Sequence, residues 1–290
     1  CCTLDPAIGL VNEFVVSEHK NLWGRYEVRR QPDTATNPVD PDAVHDVTSS
    51  PLTDTELACL PIAYGTAAGM LARAGAAPGE TVVVTGGSRG IGRQICEAFA
   101  EAGARVFTCS RRPPQDPYRS ERITCESVDV RDPEATEAWL ARCAEPRGGI
   151  DVLVNNAGYG PPFALEQLDR AALRHVFDVN LLSAMQLIGE LTPIMREQGG
   201  GRIVNVSSMS RYVSAPIASS YAATKGGMEA MTTCLRLELA PWNIKLSLVV
   251  PGFVDTPTFE NSREAGKEIR HDPSNPYRDL IGGLEEFAEV

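Results

Sequence analysis

The stretch TVVVTGGSRGIG (81–92) decides the fold. Its first half, Thr81 to Thr85, is a short apolar run bounded by glycine, the pattern of a parallel strand buried on both faces. Its second half, Gly86-Gly87-Ser88-Arg89-Gly90-Ile91-Gly92, opens a helical pattern over 90–102. Glycines at 86, 90 and 92 permit a tight turn, close backbone approach to a pyrophosphate and close helix–strand packing. A helix N-terminus at that point offers unpaired N–H groups and a positive dipole end to an anion. Strand, glycine turn and helix in this order read as nucleotide binding.

Working outward, strand patterns recur at RVFTCS (105–110), ITCESVDV (123–130), DVLVNN (151–156), RIVNVSS (202–208) and IKLSLVVP (244–251). Helical patterns fall at 133–144, about 169–197 and 219–239. The alternation predicts an α/β fold, a doubly wound parallel sheet of Rossmann type with helices on both faces. Residues 80–290 form this domain, and residues 1–79 read as an irregular extension. Within the extension, Pro, Asp, Ser and Thr dominate 30–55. Thr53 and Glu56 then form a capping box, and a small-residue helix from Thr66 to Ala74 is stopped by Gly75 and Pro78-Gly79.

Composition bounds the function. The chain has 290 residues, 43% hydrophobic and 22% charged, enough to bury a sizeable core. Lys plus Arg is 27 against 38 Asp plus Glu, a formal net charge of −11 that argues against a general nucleic-acid binder and against an anionic membrane surface. No run of ~18 apolar residues is present, so no spanning helix is expected. No signal peptide is visible, and a start at Cys1-Cys2 rather than Met implies a processed or partial chain. The other cysteines, Cys59, Cys96, Cys109, Cys125, Cys143 and Cys234, form no CxxC pair, and the four histidines (His19, His45, His175, His271) show no ligand spacing. No metal is expected, and the cysteine usage fits a reducing cytoplasm.

Tyr221 and Lys225 stand four apart on a predicted helix, hence on one face, and chance alone would give about 0.1 such pairs in this composition. A nearby ammonium favours a phenolate and lowers a phenol's pKa from ~10. Ser207 and Ser208 end the fifth strand, and the carboxyl ends of strands are where such sheets place ligands.

The TGxxxGxG turn at Thr85–Gly92, Asn155-Asn156-Ala157-Gly158, the Tyr221/Lys225 pair, and Pro251-Gly252 with Thr256 stand in an order and spacing that resembles the short-chain dehydrogenase/reductase family, over about residues 80–290. The resemblance implies an NADP(H)-dependent oxidoreductase acting on a carbonyl or alcohol. It selects Ser208, 13 residues before Tyr221, as the group holding the substrate oxygen. Tyr221 becomes the general acid/base, Lys225 its activator and a ribose ligand, and Asn180 the anchor of a water near the lysine. Cofactor contacts fall to Gly86, Ser88, Arg89, Gly90, Ile91, Gly92, Arg111, Asp129, Val130, Asn155, Ala157, Tyr221, Lys225, Val254 and Thr256. Asp129 and Val130 flank the adenine, and Asn155 lies near the adenosine ribose. Ser110 stands where the NAD-preferring pattern has Asp, and Arg111 and Arg89 suit a 2′-phosphate, so NADP(H) is expected over NAD(H).

The same resemblance implies a homo-oligomer through the helices at 169–197 and 219–239. It also implies a seventh edge strand that the chain does not reach. The block 235–259 is similar to enzymes of hydrophobic alcohols and ketones, with Phe163, Tyr212, Val213, Ile217, Phe253 and Phe259 as pocket residues and 260–283 as a lid. A 3-oxoacyl thioester reductase is an alternative, and a non-catalytic NADP-binding scaffold or inactive chimera is another. Residues 9–85 resemble instead a medium-chain alcohol dehydrogenase or quinone oxidoreductase segment, carried by Asn12–Val16, Glu56–Pro61, Ala63–Ala67 and Ala77–Thr81.

Overall fold

The structure, a computed structural model, describes residues 76–212, 216–251 and 272–280. The expected capping box at Thr53, the helix at 66–74, the medium-chain-like segment up to residue 75 and the chain end after residue 280 lie outside the described residues.

Six parallel strands form one sheet in the order β3-β2-β1-β4-β5-β6. They are β1 Thr81–Thr85, β2 Arg105–Ser110, β3 Ile123–Ser127, β4 Val152–Asn155, β5 Gly201–Val206 and β6 Ile244–Val249. The helices are α1 Gly90–Glu101, α2 Pro133–Ala144, α3 Arg170–Phe177, α4 Ser183–Glu197 and α5 Ser219–Leu239. Chain order runs outward from β1 in both directions, which opens a crevice above the carboxyl ends of β1 and β4.

The apolar run of β1 is buried throughout because both faces are covered. Val82 and Val84 pack with Ile95 and Phe99 of α1 and with Val106 and Val154. Val83 points the other way, into Trp139 and Leu140 of α2, Leu187 and Leu191 of α4, and Ile203. Each such fully buried Val contributes about 1.5–3 kcal/mol relative to exposure.

The β2–β3 connection, where the sequence shows no helical pattern, holds no helix, and Pro113, Pro114 and Pro117 lie within it. It is tied to α1 instead: Arg93 donates to the carbonyls of Asp116 (2.8 Å) and Pro117 (2.6 Å), and the Tyr118 hydroxyl donates to Gly87 O at 2.9 Å. The structure departs from the sequence reading in a π-helical turn at Asp178–Leu182 inside the long helical pattern. The predicted third strand also stops at Ser127, leaving Asp129 and Val130 in the turn beyond it.

Candidate active site

At the end of β1, Gly86 (φ +72°) and Gly90 (φ +56°) adopt left-handed backbone, which the turn requires and a side chain would disfavour. Gly92 sits under the turn: a Cβ there would strike Gly86 O and come within 2.5 Å of Asn156 Nδ2. Gly87 is equally constrained, since its Cβ would meet Thr108 Oγ1 and come within 2.6 Å of Cys96 Sγ. The sequence reading passed over Gly87, although it lies inside the same motif. Helix α1 then starts after Arg89, whose side chain makes no capping bond, and no acidic residue occupies the first turn. The first N–H groups of α1 therefore lack a side-chain acceptor, as a pyrophosphate site needs. Ser88 and Ile91 are half-buried around this turn and Arg89 is exposed.

Thr85 stitches the crevice. Its hydroxyl accepts from the backbone N–H groups of Asn156 and Ala157, both at 3.0 Å, joining the exits of β1 and β4. Nothing in the sequence reading assigned this role. Asn155, buried at the end of β4, donates to Asn205 Oδ1 at 2.8 Å. Its own Oδ1 is buried and without a partner in the described structure. An orphaned acceptor beside a glycine turn free of caps fits a nucleotide that brings its own donors.

Beyond the ends of β2 and β3, the structure assembles a charged cluster. Arg131 holds Asp129 through two guanidinium nitrogens, the closest contact 2.5 Å, and reaches His175 Nδ1 at 2.8 Å. The His175 ring lies 5.2 Å from that of Tyr159. Hydrogen bonds from Arg131 hold the Asp129 carboxyl below its ordinary range. Burial, then the charges of Arg131 and Arg111, lowers the His175 pKa. Arg111 is exposed at the end of β2, and the Ser110 hydroxyl turns away to the Arg112 carbonyl. Val130 is buried beside this cluster's strand exit. The sequence reading assigned Asp129 and Arg111 to the site but not Arg131 or His175, which lie 44 positions apart.

The third group gathers around α5. Lys225 is 3% exposed, and Nζ donates to Val206 O at 2.7 Å. Burial lowers its pKa to about 8. Nζ lies 5.6 Å from the Tyr221 ring centre. Burial raises the Tyr221 pKa, and a hydrogen bond from Ser208 opposes that rise by favouring the phenolate. Ser208 itself accepts from Ser210 N at 3.2 Å and from Ser210 Oγ at 2.8 Å.

Asn180 sits in the π-helical turn, fully buried. It accepts from Tyr159 N at 2.9 Å and donates to Tyr159 O at 2.8 Å and Thr224 Oγ1 at 3.1 Å. Its side chain thus clamps the loop after β4 onto α5. Gly158 lies between: a Cβ there would stand 3.3 Å from Asn180 Oδ1 and 3.6 Å from Lys225 Nζ. Gly160 packs its backbone on the Tyr221 ring, 3.3 Å from where its Cβ would be.

Of the expected pocket residues, Phe163 and Ile217 are half-buried, and Tyr212 is exposed with its hydroxyl donating to Glu229 Oε1 at 2.8 Å. Val213, Phe253, Val254, Thr256 and Phe259 lie outside the described residues. A separate cavity of about 450 Å³, lined by Arg147, Asp151, Arg202 and Lys245 among others, is at the opposite, amino-terminal edge of β4–β6 and shares no residue with this site. No helix among the described residues is long and apolar enough to cross a membrane.

Comparison with known proteins agrees with this fold. A family model described as short chain dehydrogenase matches residues 80–267. L-fucose dehydrogenase of Rattus norvegicus is 33% identical over 208 residues, covering 69% of this chain and 75% of that protein. Ketoacyl reductase HetN of Nostoc sp. is 35% identical over 188 residues, covering 61% of this chain and 64% of its own. The ligand-free aldohexose dehydrogenase (AldT) of Thermoplasma acidophilum superposes with a TM-score of 0.61 at 29% identity, over 72% of this chain and 78% of that one.

Proposed function

This chain belongs to the short chain dehydrogenase family, and from that premise we propose that it transfers hydride between NADP(H) and a carbonyl or alcohol, with Tyr221 as the general acid/base. The observation that carries the reading is the meeting of Ser208, Tyr221 and buried Lys225 at the carboxyl edge of the sheet, two strands from the glycine turn.

The nicotinamide cofactor would supply or accept the hydride. The turn from Gly86 to Gly92 would hold its pyrophosphate. Asp129, Val130, Asn155 and Ala157 would border its adenosine, and Val254 and Thr256 join them by the family pattern. Arg111 and Arg89 favour NADP(H) over NAD(H): both are exposed cations beside the site, and Ser110 leaves β2 without a carboxylate to repel a 2′-phosphate.

In the reducing direction, Ser208 donates to the substrate oxygen and Tyr221 delivers a proton to the alkoxide as it develops. The Lys225 ammonium stabilises the phenolate left behind. Asn180 keeps the Tyr159 backbone and Thr224 in register with that lysine.

The substrate we favour is a hydrophobic ketone, aldehyde or secondary alcohol, since half-buried Phe163 and Ile217 lie in the segments that follow β4 and β5. A 3-oxoacyl thioester is the second reading, favoured by the likeness to a protein named ketoacyl reductase. Exposed Met185 on α4 and Leu237 on α5 support a homo-oligomer. A cytoplasmic location fits the free thiols of Cys96, Cys109, Cys125, Cys143 and Cys234. The test is fluorescence titration with NADPH and NADH. Turnover then follows on apolar carbonyls, 3-oxoacyl thioesters and aldohexoses. Tighter NADPH binding and turnover on an apolar carbonyl support the proposal. Preference for NADH overturns the cofactor assignment, and turnover on the other classes alone overturns the substrate.

A further inference from the structure

We propose that Tyr118 is a positioning residue of the nucleotide site: its hydroxyl fixes the Gly87–Ser88 peptide, so that the Ser88 N–H stands as a preset donor to the cofactor pyrophosphate. The inference rests on the reading of the Gly86–Gly92 turn as the pyrophosphate site, and it adds a residue from outside that motif.

The first N–H groups of the turn are committed to the protein. Gly86 N donates to Cys109 O at 2.9 Å. Gly87 N donates to Thr108 Oγ1 at 3.0 Å, whose own proton goes to Val84 O at 2.7 Å. Ser88 is the first residue of the turn whose N–H has no partner among the described residues. The carbonyl of that same peptide, Gly87 O, accepts from the Tyr118 hydroxyl at 2.9 Å. A carbonyl can only accept, so the direction of this bond is fixed. The described backbone has no cis peptide, and in a trans peptide the C=O and N–H point to opposite sides. Holding Gly87 O toward Tyr118 therefore turns the Ser88 N–H away from it, open to an anion.

Tyr118 is itself firmly seated. The Arg93 guanidinium lies over its ring, 4.9 Å from the centre. The same guanidinium donates to the carbonyls of Asp116 and Pro117 at 2.8 and 2.6 Å, and to Glu97 Oε1 at 3.1 Å. Helix α1 thus holds the β2–β3 connection through Arg93, and that connection orients the turn from which α1 starts. Burial pushes the Tyr118 phenol well above its usual range, so the hydroxyl stays protonated and remains a donor at neutral pH.

The experiment measures ligand affinity of the full chain with and without this hydroxyl. Tyr118→Phe removes the donor and keeps the ring over Arg93. NADPH and NADH are titrated by fluorescence, and ADP and adenosine 2′-monophosphate by competition against NADPH. The variant is expected to bind NADPH, NADH and ADP about 3- to 10-fold more weakly, because all three carry a pyrophosphate. Adenosine 2′-monophosphate, which carries none, should bind the two proteins equally, a split that a merely structural role would not produce. Should Tyr118→Phe fail to fold, Tyr118→Leu, which also lacks the hydroxyl, is expected to give the same split. Unchanged affinity for the three pyrophosphate ligands overturns the inference, as does an equal loss for all four. A wild-type chain that binds none of the three overturns the pyrophosphate reading itself, a result separate from any variant.

Discussion

The Lys225 ammonium stands 5.6 Å from the centre of the Tyr221 ring while its Nζ donates to the Val206 carbonyl at 2.7 Å. A cation is thus held out of water, beside a phenol, by one backbone oxygen. On the proposed mechanism, its placement serves catalysis at a cost in stability.

That cost is measurable. Burial lowers the Lys225 pKa from 10.5 to about 8. The unfolded chain therefore binds more protons between pH 8 and ~10.4, and the stability linked to this group rises with pH through that window. Below it, the folded state carries a buried ammonium. Lys225→Met removes that burden and frees one carbonyl, for a net gain of roughly 1–3 kcal/mol at neutral pH. The expected outcome is a higher melting temperature at pH 7, a gap that closes toward pH 10, and turnover lower by about 10²-fold or more. Thermal melts across pH check the first part and steady-state kinetics the second.

On the proposed mechanism, the same lysine is expected to set a pH limb. Carbonyl reduction needs the ammonium to stabilise the phenolate as Tyr221 gives up its proton. Reduction should be level below about pH 8 and fall above it, as the buried ammonium of Lys225 is lost. A kcat–pH profile in NADPH checks this.

Asn180 makes three hydrogen bonds from the π-helical turn, two to the Tyr159 backbone and one to Thr224. Asn180→Ala strands a part-buried N–H and C=O, so it is expected to cost about 2 kcal/mol. It should also release the loop carrying Gly158 and Gly160 from α5, and lower kcat more than NADPH affinity. Denaturant unfolding and a kcat-against-Kd comparison measure the two effects.

Cofactor choice is expected to turn on the end of β2. Ser110→Asp with Arg111→Ala places a carboxylate where the 2′-phosphate would lie and removes a cation. The ratio of NADPH to NADH affinity should drop by at least ~10-fold, one charge-assisted contact being worth about 1.5–3 kcal/mol. Fluorescence titration of both cofactors reads it.

Much of this was legible in the sequence. The apolar runs at 81–85, 105–110 and 244–249 are strands because both sheet faces are covered, and the glycine turn and the Tyr221/Lys225 pair are local patterns. The β2–β3 connection shows no helical pattern in the sequence either, and Pro113, Pro114 and Pro117 crowd it. The π-helical turn at Asp178–Leu182 was not legible, because one extra residue per turn barely disturbs a 3.6 period. Contacts set by the sheet order were hidden too. Asn155 meets Asn205 across 50 positions, and Arg131 meets His175 across 44. Those pairings come from the packing of separate elements and leave no spacing to read.

The most direct measurement compares wild type with Tyr221→Phe in two assays, NADPH binding by fluorescence titration and NADPH-dependent carbonyl reduction. The account predicts equal NADPH affinity and a turnover lower by about 10³-fold or more in the variant. Comparable turnover in the two proteins would contradict it.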